Sequence, residues 1–204
     1  MQDLEDIESY YSQKIIEHGA SPQGVDWNGE QSQNIRFEQL LKVIDSRVFF
    51  SLNDFGCGYG ALYDYMKNQD FNFDYLGNDI STEMIQEAKK RIANKNVKLS
   101  VLSQPLGVAD YTIASGIFNV ALNAQKDVWK EYIFQQLKVL NEFSSKGFSF
   151  NCLTSYSEES KKKGYLYYAE PCEMFNYCKK HFSKNVALLH DYNLYEFTIL
   201  VRKI

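Results

Sequence analysis

Long apolar runs are missing from this 204-residue chain. No stretch approaches the ~18 consecutive apolar residues that would read as a membrane span, so no membrane association is expected. The N-terminus, Met1-Gln-Asp-Leu-Glu-Asp, is acidic where a secretion signal would be basic and then apolar, and a cytoplasmic location is the expectation. Cys57, Cys152, Cys172 and Cys178 form no CxxC pair, which argues against a disulfide framework and against a zinc site, and no metal is expected. Three prolines leave little room for a disordered linker. Basic residues are outnumbered: a net charge of −4 argues against a nucleic-acid partner, because affinity for phosphate backbones comes from clustered lysine and arginine. The one basic run, Lys161-Lys162-Lys163, reads as a solvated loop.

What is present is patterned apolar sequence of a length that suits one compact α/β domain. Leu4, Ile7, Tyr11 and Ile15 recur at spacings of three and four, one stripe of an amphipathic helix over residues 3–18. A loop rich in glycine follows, and Phe37, Leu40, Leu41 and Ile44 then repeat the helical spacing up to about Ser46. From Phe49 the pattern changes to short apolar runs alternating with helical stretches, which predicts βαβ units around a parallel sheet. Strands are expected near 49–54, 73–78, 97–101, 109–114 and 147–152, with helices near 60–68, 81–93 and 126–144. Trp129, Ile133, Leu137 and Leu140 make a core stripe in the last of these helices, and Gly147 lies shortly beyond its end. A helix opening at Pro171 and a hairpin of strands 185–190 and 195–202 finish the chain.

The stretch "LNDFGCGYGALYDYM" carries the clearest chemistry. Gly56, Gly58 and Gly60 allow a tight turn and close backbone approach to a ligand, and the helix that follows aims its free N–H groups at whatever binds. Asp79 lies 23 residues after Gly56, at the end of the next strand, where a carboxylate can accept both hydrogen bonds of a ribose diol. Both features suit NAD and S-adenosylmethionine alike. Three others separate them. Asp54, two residues before the first glycine, would suit an ammonium and a sulfonium but repel a pyrophosphate. About 50 residues precede the loop and only about 50 follow the fifth strand, too few for a dehydrogenase's catalytic domain. The terminal hairpin is the third.

The run DFGCGYG from Asp54, then DISTEM from Asp79, then ADYTIASG from Ala109, resembles a class I S-adenosylmethionine-dependent methyltransferase over roughly residues 49–204. The flanks GVDWN, SGIFNV, FNCLTSYS, YYAEP and LHDYNLYEFTILVRK are similar to a small group of bacterial methyltransferases associated with surface-polysaccharide (capsule or lipopolysaccharide) gene clusters. The resemblance implies a Rossmann-like α/β fold, a seven-stranded sheet with its last strand antiparallel, and a helical cap over residues 1–48 on a methyltransferase domain of residues 49–204. It implies S-adenosyl-L-methionine as cofactor. Asp54, Gly56, Gly58 and Gly60 would surround its methionyl part, Asp79 would hold the ribose, Ile80 and Met84 would flank the adenine, and Ser115 and Gly116 would line the site near the methyl. The acid common after the third strand is missing, and Ser103 or Gln104 is expected in its place.

On the acceptor side, a hydroxyl needs a base and an anionic oxygen does not. His190, at the end of the sixth strand, is the candidate base. Arg36 is the candidate cation for an anionic acceptor, with the methionyl carboxylate as another possible partner. Tyrosine-rich segments, with Tyr11 and Trp27 near the N-terminus and Tyr156, Tyr165, Tyr167 and Tyr168 after the fifth strand, suit a lid over a small polar substrate. Tyr11 and Trp27 are expected at the cofactor and Tyr168 at the chemistry. The expected activity is O-methylation of a small polar metabolite by a monomer or homodimer, at a sugar hydroxyl or a phosphate or phosphoramidate oxygen. A non-catalytic S-adenosylmethionine-binding protein and an NAD-dependent oxidoreductase are the alternatives.

Overall fold

The N-terminal stripe becomes the inner face of helix α1 (Gln2–His18), on which Ile7 and Ile15 are buried. The computed structural model describes residues 2–44, 48–94 and 96–203. After a short 3₁₀ turn (Pro22–Val25), helix α2 (Glu30–Leu41) buries Phe37, Leu40 and Leu41. The helix stops at Leu41, capped by Lys42, short of the expected end near Ser46, which itself lies outside the described residues.

Strands β1 (Phe50–Phe55), β2 (Phe73–Asp79), β3 (Val97–Val101) and β4 (Ala109–Ala114) alternate with helices α3 (Ala61–Asn68) and α4 (Thr82–Arg91). Then come α5 (Lys126–Glu142), β5 (Ser144–Leu153), α6 (Pro171–His181) and the pair β6 (Asn185–Leu189) and β7 (Glu196–Arg202). The sheet has seven strands in the order β3-β2-β1-β4-β5-β7-β6. β7 alone runs antiparallel to its neighbours, β5 on one side and β6 on the other. The Rossmann-like class I arrangement implied by the three motifs is the one observed.

Each face of the sheet buries its own apolar cluster. On one, the α5 stripe of Trp129, Ile133, Leu137 and Leu140 packs with Met174 and Cys178 of α6 against Phe148, Phe150 and Phe197. On the other, residues of α2 and α3, among them Phe37 and Met66, pack against Leu52, Tyr75 and Ile113. Both helices and strands thus follow from periodicity alone, but their ends do not. β5 begins three residues earlier than expected, so Gly147, expected as its first residue, lies inside it. A Cβ there would lie 2.5 Å from the Val201 carbonyl oxygen, so the position is small because β7 passes close by.

Gly60 corrects a second expectation. It is the N-cap of α3 at φ +84°, and a Cβ would sit 2.6 Å from Ile92 Cδ1, so its job is to let α3 pack against the end of α4. Gly60→Ala combines left-handed strain with that collision and is expected to lose about 2–4 kcal/mol in urea unfolding. Gly164, where a side chain would meet open space, should change by no more than about 0.5 kcal/mol when replaced by alanine.

Candidate functional site

The order of strands reverses between β1 and β4, and the loops that leave the carboxyl ends of the strands part there to form a crevice. A cavity of about 280 Å³ fills it. Its wall takes Asp54, Gly56 and Gly58 from the end of β1 and the loop beyond, Asp79 from the end of β2 with Ile80 just after it, and Met84 from α4. Ser103 and Gln104 follow β3, and Ser115 and Gly116 follow β4. Tyr11 of α1 and Trp27 of the α1–α2 connection complete the enclosure. Every cofactor-binding candidate except Gly60 therefore borders one cavity.

Electrostatics within this cavity distinguishes its ligands. Asp54 is buried at 2% exposure, and burial lifts its carboxyl to about 7, with the hydrogen bond from the Tyr75 hydroxyl opposing and the nearby Asp79 charge reinforcing the shift. Asp79 is also raised, chiefly by burial, against hydrogen bonds from backbone N–H groups. Its Oδ2 accepts from Gly58 N at 2.9 Å and its Oδ1 from Ser81 N at 2.9 Å. The glycine loop thus spends an N–H on the protein's own carboxylate. Among the described residues neither acid takes part in an ion pair. Two acids with raised pKa and no cation beside them favour a cationic ligand and would repel a pyrophosphate. Ser115 Oγ and Asn78 Oδ1 are buried polar atoms with no protein partner, and both residues border the cavity. Such orphans are expected where a ligand supplies the missing hydrogen bonds. The donor set, two buried carboxylates without a cation and two unpartnered polar atoms, fits S-adenosylmethionine.

Helix α1 covers this crevice. Leu4, Ile7 and Tyr11 face the cavity, while Ser12 donates to Glu83 at 2.7 Å and lies 2.8 Å from the Ser81 hydroxyl, fastening α1 to the start of α4. Asp26 accepts from the Tyr10 hydroxyl at 2.7 Å and pairs with Lys14 at 3.1 Å, fastening the connection back onto α1.

Arg36 is 8% exposed, and its Nε and Nη2 donate to Glu196 Oε2 and Oε1 at 2.8 and 2.7 Å. Trp27 lies 4.6 Å from the guanidinium and packs on Gly116, where a Cβ would meet its ring at 3.0 Å. Glu196 also accepts from Asn151 Nδ2 at 2.5 Å, and Asn151 Oδ1 accepts from Gly116 N at 2.7 Å. Two of the guanidinium's three nitrogens are therefore committed to the protein's own carboxylate, so the bidentate face expected to hold an anionic acceptor is taken by Glu196. Nη1 is the third and has no protein partner.

A second cavity, of about 360 Å³, shares Tyr11, Val25, Trp27 and Gly116 with the first. Arg36, Asp26, Lys161, Lys163, Tyr165, Tyr168 and Glu196 border it. Tyr168 is thus near the expected chemistry, although its hydroxyl accepts from Lys163 N at 2.9 Å. Tyr156 is exposed and Tyr167 joins the core, so only two of the four tyrosines in that segment face a cavity. His190 borders neither cavity. It lies exposed after β6, three strands from β4 and hence roughly 14 Å across the sheet, with Tyr156 and Phe197 as ring neighbours. The proton-acceptor role expected of it has no geometric support.

Several wall residues escaped the sequence reading. Tyr132 and Gln136 sit one position before the α5 core stripe and reach the first cavity, where burial pushes the Tyr132 hydroxyl up to about 12. Glu196 carried a signal in retrospect, an acid within the apolar run EFTILV. Among the described residues no cluster of three or more histidine, cysteine, aspartate or glutamate side chains could hold a metal, and no helix is long and apolar enough to cross a membrane.

A methyltransferase-domain family model matches residues 53–142. The chain is 50% identical over 164 residues to the Mycobacterium tuberculosis protein named "Putative methyltransferase Rv1506c", an alignment that spans 80% of this chain and 99% of the relative. Its fold is similar to magnesium protoporphyrin IX methyltransferase of Synechocystis PCC 6803, solved with bound S-adenosylmethionine (TM-score 0.66, 12% identity, covering 100% of this chain and 98% of the other). It is also similar to a methyltransferase of Leishmania major (TM-score 0.64, 12% identity, 96% and 82% covered).

Lowering the pH protonates Asp54 and removes the charge that a cationic ligand meets. Between pH 7.5 and 5.5 the ligand's α-amino group stays charged, so calorimetric affinity for S-adenosylmethionine should fall by roughly tenfold toward the acid end. In Asp54→Asn it should be weaker throughout and nearly flat with pH. A flat wild-type profile would show that the carboxyl is not used. Separately, Glu196→Gln leaves Arg36 buried without its counter-charge and should cost about 3–5 kcal/mol of stability in urea unfolding.

Proposed function

The chain belongs to the S-adenosylmethionine-dependent methyltransferases, and from that premise we propose that it is an O-methyltransferase acting on a small polar metabolite. The observation that carries this reading is the meeting of the two cavities at Tyr11, Val25, Trp27 and Gly116. One offers carboxylates to a cationic cosubstrate, and the other is the more polar of the two, of small-molecule size and walled by tyrosines whose rings and hydroxyls suit a sugar-like or oxyanionic partner. The methyl group passes from sulfonium to acceptor by in-line displacement, which a protein speeds chiefly by alignment and exclusion of water.

In this reading residues 1–48 act as a lid: α1 and its connection cover the cosubstrate, and Trp27, held by Arg36, separates the two compartments. Asp54 positions the charged methionyl end, Asp79 the ribose, Ile80 and Met84 the adenine, and Ser103 or Gln104 its amino group. The similarity of the flanking motifs to methyltransferases of surface-polysaccharide clusters makes a precursor or decoration of such a polymer the proposed acceptor.

The test is to incubate the protein with methyl-labelled S-adenosylmethionine and a fresh whole extract of a bacterial host, then separate label by size. Label among small molecules is the expected result. Label on protein, RNA or polymer would mean that the second cavity does not define the acceptor, and no transfer together with retained cosubstrate binding would favour a non-catalytic binding protein. His190→Ala should leave turnover within about twofold, because a surface position away from both cavities contributes little. A loss of ~10²-fold, the usual scale for a general base, would put that histidine back at the chemistry.

A further inference from the structure

None of the three histidines borders the second cavity, and its two carboxylates are already committed. Glu196 is held in two directions by Arg36 and Asn151, while Asp26 is held by Lys14 and the Tyr10 hydroxyl. The cations are less fully matched. Neither Lys161 nor Lys163 takes part in an ion pair with a described residue; Lys163 Nζ donates to the Tyr165 hydroxyl at 3.4 Å and feels the Asp26 charge only at longer range. Arg36, with a side chain nine-tenths buried, keeps Nη1 without a partner. A buried guanidinium N–H without an acceptor is costly, and an anionic oxygen is the acceptor that best offsets it.

Resting on the methyltransferase reading above, we infer that the acceptor presents an anionic oxygen, of carboxylate or phosphate type, to this second cavity. Arg36 Nη1, Lys161 and Lys163 hold its charge, and the same oxyanionic group takes the methyl. The chemistry balances without a protein base. A lone pair of the ionised oxygen forms the new O–CH₃ bond, the C–S bond breaks with its electron pair going to sulfur, and the sulfonium becomes a neutral thioether. No proton moves, and one positive and one negative charge disappear together. A wall that supplies cations and no free base matches that balance. It does not match a sugar hydroxyl, whose proton must go to a group that this wall does not offer.

Two measurements test the inference. The labelled small-molecule product is run on anion exchange beside its unlabelled acceptor and then treated with mild alkali. A product with one negative charge fewer supports the inference; label released as volatile methanol then identifies a carboxyl ester, and alkali-stable label a phosphate-type ester. A product of unchanged charge with alkali-stable label is a hydroxyl ether, which overturns this inference and leaves the methyltransferase proposal standing. Inorganic phosphate titrated into the S-adenosylhomocysteine-loaded protein, followed by calorimetry, reads the cation cluster without turnover. Lys161→Ala/Lys163→Ala should weaken phosphate roughly tenfold or more and raise the acceptor KM by a similar factor, with S-adenosylmethionine affinity unchanged. Both lysines lie on an exposed loop, so folding is not at stake. Equal phosphate affinity in the two proteins, or none in either, overturns the cation site even if the acceptor proves to be a macromolecule.

Discussion

The ion pair between Arg36 and Glu196 joins parts of the chain that are otherwise 160 residues apart. Placing two charges where neither is exposed by more than a tenth carries a desolvation cost, which only close, bidentate geometry and further hydrogen bonds offset. Here the offset comes through Asn151, which links the carboxylate to the backbone of Gly116. A single network therefore sets helix α2 against β7, β5 and the loop after β4. Since Trp27 stacks on the guanidinium and touches Gly116, the same network fixes the partition between the two cavities. Displacing Arg36 would move a wall of both at once.

The first cavity depends on a complementary economy. Asp54 and Asp79 are crowded by protein but given no cation, so both carboxyls are harder to ionise than in water. A ligand that brings positive charge restores the ionised form and gains by it. Glycine turns beside a helix N-terminus ordinarily suit phosphates, yet here Gly58 N is already engaged by Asp79, and the field at the loop is that of carboxylates. This difference in sign separates a sulfonium site from a dinucleotide site built on a similar backbone.

Helix and strand positions were legible because burial imposes its period on sequence. The α5 stripe and the alternating runs of β1–β5 needed no knowledge of their partners. Ends were less so: β5 starts at Ser144, three residues before the apolar run that marks it, and Gly147 within it is small because β7 passes close by. Most of the first cavity's wall was legible too, since Gly56, Gly58 and Asp79 sit at strand ends that a parallel sheet must gather on one edge. Gly60 shared their motif but not their role, because its neighbour is Ile92, the residue that caps the end of the next helix.

Sequence by itself determined the parallel sheet, the edge on which a ligand binds and the acids that face it, because these follow from local period and from the order of short motifs. It left the acceptor side open. Tyrosines and cations stand out by composition, but composition does not say which of them share a wall. Only the tertiary structure put Arg36 on Glu196, turned Tyr167 into the core while Tyr165 and Tyr168 stayed at the cavity, and left His190 at the far side of the sheet. The reason is physical: side chains on α2, on the segment before α6 and on β7 meet through contacts long in sequence, and no local period records them.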